Sequence, residues 1–268
     1  MKNLKAIILA AGSGERLKPL TDKIPKGMVK LFGKSLLEWQ INVFRNCEIY
    51  DISIVTGYKG DMINFSNIHY FRNKNYDSTN MVETLFCAKE KISESVIVSY
   101  GDIIFQKDVL EKLILADDDI SVIIDENWEE YWKIRFENPL EDAESLVIDE
   151  EKYIQNIGQK VNTIQEINGQ YIGLMKFQKD GTEFLKRFYE KSKNESKSGV
   201  NPLNSKIVFE KSFMTDLLHG MIKSGYKIKS VPVKNGWLEL DTLHDYELYE
   251  KMYSEGTMNR FIQMGSEN

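Results

Sequence analysis

Between Leu9 and Lys26 the chain reads LAAGSGERLKPLTDKIPK, and this stretch holds the residues best suited to chemistry on a phosphate. Gly12-Ser13-Gly14 would let backbone N–H groups approach an anion with no Cβ in the way. Arg16 adds a forked donor for phosphate oxygens, and Lys26 adds a compact point charge. Pro19 and Pro25 stiffen the loop that carries both cations. Two better-known phosphate loops do not fit. The third position of G-x-G-x-x-G is Leu17, and no Gly-Lys-Ser/Thr follows at P-loop spacing. A Gly-x-Gly turn is also what any tight strand-to-loop reversal needs, so the cations carry the case.

The flanking segments must position this loop. Lys5–Ala11 is a nearly continuous apolar run, the pattern of a strand buried on both faces of a parallel sheet. Helical spacing of Leu36, Leu37, Ile41 and Phe44 predicts a helix over 36–44. Strands are expected at 51–56, 68–72, 95–100 and 120–124, with helices at 79–89 and 109–115. Strands alternating with helices imply a doubly wound, Rossmann-like, mostly parallel α/β sheet. After residue 125 the rhythm changes. Segments 146–148, 153–157 and 171–177 read as strands without helices between them, an antiparallel extension in the second half. Helices are expected at 183–193, 213–224 and 242–253, with a strand at 227–233. Residues 192–204, rich in Ser, Asn, Gly and Lys, read as a mobile loop. The expected organisation is a single domain over 1–268, with a nucleotide half to about 125, an acceptor half over about 126–254 and a short C-terminal tail.

Composition narrows the class. The 268 residues are 42% hydrophobic and 28% charged, which excludes a disordered or low-complexity chain. No apolar run approaches the roughly 20 residues of a membrane-spanning helix. The start, Met1-Lys2-Asn3-Leu4-Lys5, is basic, but the apolar run behind it is too short for a signal peptide. Two cysteines, Cys47 and Cys87, exclude a disulfide scaffold and zinc pairs; both read as core residues of a cytoplasmic protein. The net charge of −6 argues against nucleic-acid binding. Residues 137–151 hold seven acids and no base and read as a solvated loop or edge. The three histidines form no metal or triad motif.

The Leu9–Lys26 stretch resembles the signature of nucleotidyltransferases that make activated sugars and activated alcohol phosphates, matching it at each fixed position. Gly101-Asp102 and Glu239-Leu240-Asp241 follow in the family's order. The resemblance implies that Asp102 and Asp241 hold a catalytic Mg²⁺ and that Arg16 and Lys26 act on the triphosphate. It puts the nucleotide on Leu9, Ala10, Ala11, Gly12, Ser13, Gly14, Glu15, Asn80, Thr84, Tyr100 and Gly101. For Asn80, an amide suits a base edge, and a helix N-terminus is the plainer role. Where relatives carry Pro at position 35, this chain has Ser35, a good N-cap.

Within that family the middle of the chain is similar to cytidylyltransferases of small phosphate acceptors: the phosphocholine, phosphonate and phosphoglutamine enzymes. The matching segments are 76–85, 100–105, 128–140, 169–173 and 236–242. The resemblance implies CTP and a small phosphorylated acceptor as partners, and a role in capsule or surface-polysaccharide decoration. Candidate acceptor residues are Trp128, Arg135, Lys160, Gln170, Tyr171 and Trp237. Trp128, Trp132 and Trp237 suit a quaternary ammonium, although spacing by four also suits a buried helix face. Glu129, Glu130 and Glu144 suit an amino group. A sugar 1-phosphate enzyme using UTP or dTTP and an inactive nucleotide-binding subunit are the rival readings. Aromatic-rich edges are compatible with a homodimer.

Overall fold

The computed structural model describes residues 4–263; residues 1–3, from the basic start, and 264–268 lie outside the described residues. In chain order the strands are β1 (Leu4–Ala10), β2 (Lys30–Leu31), β3 (Lys34–Ser35), β4 (Asp51–Thr56), β5 (His69–Arg72), β6 (Ser95–Tyr100), β7 (Ile103–Phe105) and β8 (Ile120–Asp125). They continue with β9 (Glu144–Ile148), β10 (Ile154–Lys160), β11 (Gln170–Gln178), β12 (Lys229–Val233) and β13 (Trp237–Glu239). The helices are α1 (Leu36–Asn46), α2 (Met81–Phe86), α3 (Lys107–Leu115), α4 (Trp128–Arg135), α5 (Asp180–Ser196), α6 (Met214–Lys223) and α7 (Leu243–Ser254).

Seven strands form one sheet in the order β12-β8-β11-β6-β1-β4-β5. β1 lies parallel to β4 and β6 near its centre, as its unbroken apolar run requires. β11 runs antiparallel to both β6 and β8, and so splices the second half into the sheet. The expected antiparallel extension is also present as the β9–β10 hairpin and the β7–β13 pair. Helices cover both faces. Apolar stripes of α1, α3, α4 and α7 build one core layer, and those of α2, α5 and α6 build the other. Ser35 caps α1, its hydroxyl accepting from the Glu38 N–H at 3.2 Å.

Four expectations change. The helix expected over 79–89 is only α2, because Asn80 caps it and Cys87 ends it. Cys87 is exposed; Cys47 is buried. The segment expected to be a mobile loop begins inside α5 and then turns inward. Asn201 and Leu203 are buried, and Asn201 Nδ2 donates to Ser212 Oγ at 2.9 Å. The tail packs too: Phe261 and Ile262 join the first core layer, and the Gly236 N–H donates to the Phe261 carbonyl at 2.7 Å.

Candidate active site

β1 ends in the glycine loop, and its neighbour β6 ends in Gly101-Asp102, so both deliver residues to the carboxyl edge of the sheet, where open α/β folds bind ligands. Gly101 lies so near β1 that a Cβ there would sit 2.6 Å from the Leu9 carbonyl oxygen. Gly14 has φ +68°, and a Cβ there would press on Thr21 and on the Lys26 side chain. Thr21 Oγ1 donates to the Gly14 carbonyl at 2.8 Å and folds the loop back on itself. That fold brings Lys26 in under the turn.

Lys26 Nζ lies 2.8 Å from Asp102 Oδ2 and 2.9 Å from Asp241 Oδ1. Arg16 reaches the other oxygen of Asp241 at 2.5 Å. Burial disfavours charge on Lys26, but the two carboxylates outweigh it and its pKa lies above the ordinary lysine value. Asp241 behaves conversely: burial is opposed by Lys26, then by Arg16, and its pKa falls below the usual carboxylate value. Asp102 Oδ1 is buried without a hydrogen-bond partner. Asp241 is placed from behind. Its N–H and that of Thr242 donate to Asp245 Oδ2, the capping carboxylate of α7.

Arg16 and Asp241 stand where two cavities meet, and Lys26 and Asp102 line the first of them. The first, about 340 Å³, is lined by Leu9 through Arg16 and by Lys26, Thr79, Asn80, Thr84, Gly101, Asp102 and Asp241. Asn80 takes the plainer role, Oδ1 accepting from the Met81 N–H at the start of α2, and the residue also lines the cavity. Thr84 donates to the Asn80 carbonyl and accepts from Asn73 Nδ2, fixing that wall.

The second cavity, about 230 Å³, shares Arg16, Met81, Phe213 and Asp241 with the first. Its remaining walls include Tyr100, Trp132, Asp142, Glu144, Gln170, Tyr171, Trp237 and Glu239. Tyr100, expected beside the nucleotide, instead faces this cavity, edge-on to Tyr171 at 5.7 Å. Asp142 Oδ2 accepts from Trp132 Nε1 at 3.1 Å, and Glu239 Oε2 accepts from Arg135 at 3.0 Å. The Glu144 carboxylate has no hydrogen-bond or ion-pair partner among the described residues. Glu144 is exposed where it opens on the cavity, yet the protein packed beside it, and then Asp142 and Asp216, push its pKa up to about 7.

Three acceptor candidates fall elsewhere. Trp128 is buried beneath α4, its ring edge-on to Trp132, and lines neither cavity. The Arg135 side chain is 1% exposed and donates to Asp245 and Glu239, so its charge is already spent on protein carboxylates. Lys160, at the end of β10, lines a different cavity. Glu129 and Glu130 pair outward with Lys133 and Arg260. Within the acidic run, Asp142 and the exposed Glu144, at the start of β9, open on the second cavity. Sequence reasoning missed Asp142, Phe213 and Thr215; an aromatic residue beside a helix start gives too weak a pattern to single out.

The MobA-like NTP transferase domain family matches residues 6–156, and the chain belongs to this family. It is a nucleotidyltransferase. It is 37% identical over 256 residues to the CTP:phosphoglutamine cytidylyltransferase of Campylobacter jejuni subsp. jejuni, covering 91% of this chain and 98% of that protein. It is 34% identical over 107 residues to the choline-phosphate cytidylyltransferase of Streptococcus pneumoniae, covering 38% of this chain and 47% of the relative. Among solved structures, the CTP:phosphocholine cytidylyltransferase from Streptococcus pneumoniae superposes with a TM-score of 0.69 at 21% identity, covering 93% of this chain and 99% of the other. That likeness speaks for the Rossmann-like fold alone. Among the described residues no helix is long and apolar enough to cross a membrane.

Proposed function

We propose that the protein is a Mg²⁺-dependent cytidylyltransferase that moves CMP from CTP onto a small phosphorylated acceptor bearing an amino or ammonium group. The observation that carries this reading is the Arg16–Lys26–Asp102–Asp241 cluster at the junction of a glycine-lined cavity and a ring-and-carboxylate-lined one. Similarity to phosphoglutamine and choline-phosphate cytidylyltransferases supports CTP as the donor and an amino-type acceptor. The CDP-linked product would suit decoration of a surface polysaccharide.

In the reaction a phosphate oxygen of the acceptor attacks the α-phosphorus of CTP, a P–O bond forms, and the bond to the β-phosphate breaks as pyrophosphate leaves. The acceptor phosphate is already an anion, so the step needs no general base. What it needs is alignment and opposing charge, because two polyanions must meet. The glycine loop offers N–H groups to the triphosphate. Arg16, on the wall common to both cavities, can contact both phosphates, and Lys26 supplies a second cation beside the departing group.

The residues present fit a magnesium ion. Asp102 and Asp241 would hold it, and the unpartnered, buried Oδ1 of Asp102 is an oxygen with no protein donor to satisfy it. Among the described residues no three His, Cys, Asp or Glu side chains gather into a ligand cluster, so the other ligands would be water and substrate oxygens, as magnesium commonly takes. Bound there, the ion would neutralise charge on the triphosphate and on the leaving pyrophosphate. Glu144 faces the ammonium end of the acceptor, and Trp132, Tyr171 and Trp237 supply the flanking rings.

The test is pyrophosphate release with Mg²⁺, crossing CTP, UTP, dTTP, ATP and GTP with phosphocholine, phosphoethanolamine, 2-aminoethylphosphonate, phosphoglutamine and glucose 1-phosphate. Release with CTP and an amino-bearing acceptor is expected. Release only with glucose 1-phosphate and UTP or dTTP would overturn both substrate assignments.

A further inference from the structure

A further cavity lies away from the reaction site. It measures about 680 Å³, within the range of small-molecule sites, and is walled by β10, α5, α6 and the segment joining the two helices. Lys160, Lys191, Lys206 and Lys223 line it, against only two acids, Glu195 and Asp216. The oxygens of Asp216 are already engaged by Asn204 Nδ2 and the Phe213 N–H, and Glu195 stands 3.8 Å from Lys191. Lys160, Lys206 and Lys223 make no side-chain hydrogen bond or ion pair among the described residues. On a chain of net charge −6 this is a local excess of cations aimed into one concavity.

The wall also holds an orphan. His219 Nδ1 is buried without a hydrogen-bond partner and out of a ligand's reach, so the ring would meet a ligand in the cavity through Nε2. Burial, and then Lys223, hold the imidazole pKa below its ordinary value, so the ring is neutral at neutral pH and carries one N–H donor. A neutral ring among three unpaired ammonium groups suits a ligand rich in acceptor oxygens. Lys160, a residue the reaction site leaves unused, finds its place here.

We propose that this cavity is a second anion site, binding a phosphate-bearing small molecule through Lys206, Lys223 and the His219 imidazole. The inference does not depend on which nucleotide or acceptor the reaction site takes.

The chain has three histidines, so imidazole ¹⁵N–¹H spectra of the whole protein resolve His219 from His69 and His244. Titration with inorganic pyrophosphate is expected to displace the His219 signals in a saturable way. Lys206 and Lys223 are exposed, so the double variant K206E/K223E keeps the fold and its turnover. Its dissociation constant read at His219 is expected to be weaker by about tenfold or more, for the loss of two charged hydrogen bonds. Three results would overturn the site: His219 signals unmoved by pyrophosphate, an equal displacement by chloride at matched ionic strength, or undiminished affinity in the double variant.

Discussion

The two cavities that meet at Asp241 are built in opposite ways. The glycine-lined one takes the longest continuous part of its wall from Leu9–Arg16 at the end of a buried strand, and its charged groups pair with one another, Lys26 between two aspartates and Arg16 on the second, leaving only Asp102 Oδ1 without a partner. The ring-lined one collects residues from β6, α4, β9, β11 and β13, and it leaves the Glu144 carboxylate with no partner among the described residues. Machinery for a step common to many substrates can be held in one rigid stretch. A pocket for one particular acceptor is assembled from scattered positions, each of which can vary without disturbing the others.

Substitutions on the two sides should therefore separate. Asp102→Asn should cost the most, removing turnover to below about 10⁻³ of wild type while circular dichroism and melting stay close to normal; full activity would remove Asp102 from the metal-holding pair. Lys26→Ala should follow, with kcat lower by about 10²–10³-fold in steady-state assays. A loss confined to KM would make Lys26 a binding group only. Glu144→Gln should act on the other side alone, raising KM for an amino-bearing acceptor about tenfold and leaving KM for CTP unchanged.

The same carboxylate sets a pH signature. Its pKa is pushed up to about 7, so Glu144 is mostly protonated below that value and ionised above it. Its attraction for an ammonium group is gained as pH rises through 7. The acceptor KM should therefore fall between pH 6 and pH 8, and Glu144→Gln should flatten that profile. The smallest effect is expected from Lys160→Ala, whose kinetics with both substrates should stay within about twofold of wild type; a large rise in acceptor KM would return Lys160 to the reaction site.

The same contrast governs what the sequence revealed. The loop from Leu9 to Lys26 was legible because its constraint is local: glycines, prolines and cations stand at fixed separations along one strand end. The parallel strands were legible for a similar reason, each being an apolar run of its own. Trp128, Arg135 and Lys160 were assigned by residue type, and type does not say which way a side chain points. Arg135 looks like an anion ligand until Asp245 and Glu239 are seen on either side of it, more than a hundred positions away in the chain. Of the three glutamates that suited an amino group by type, only Glu144 opens on the cavity, and residue type alone could not separate it from Glu129 and Glu130. Tyr100 ends a strand beside Gly101, yet its ring points to the opposite cavity, an alternation that one residue's shift in register reverses.

The hydrogen bonds of Lys26 reach 76 positions ahead to Asp102 and 215 ahead to Asp241. The family match ends at residue 156, so one of the two aspartates lies outside the shared segment. During synthesis, β1, β4 and β6 can pair while the rest of the chain is still being made, but the charge cluster cannot close until the stretch that follows β13 has emerged and docked. A nascent or truncated chain would expose a phosphate cradle that captures nucleotide and does nothing with it. On the proposed mechanism, turnover would wait until the chain has been made as far as Asp241 and that segment has docked.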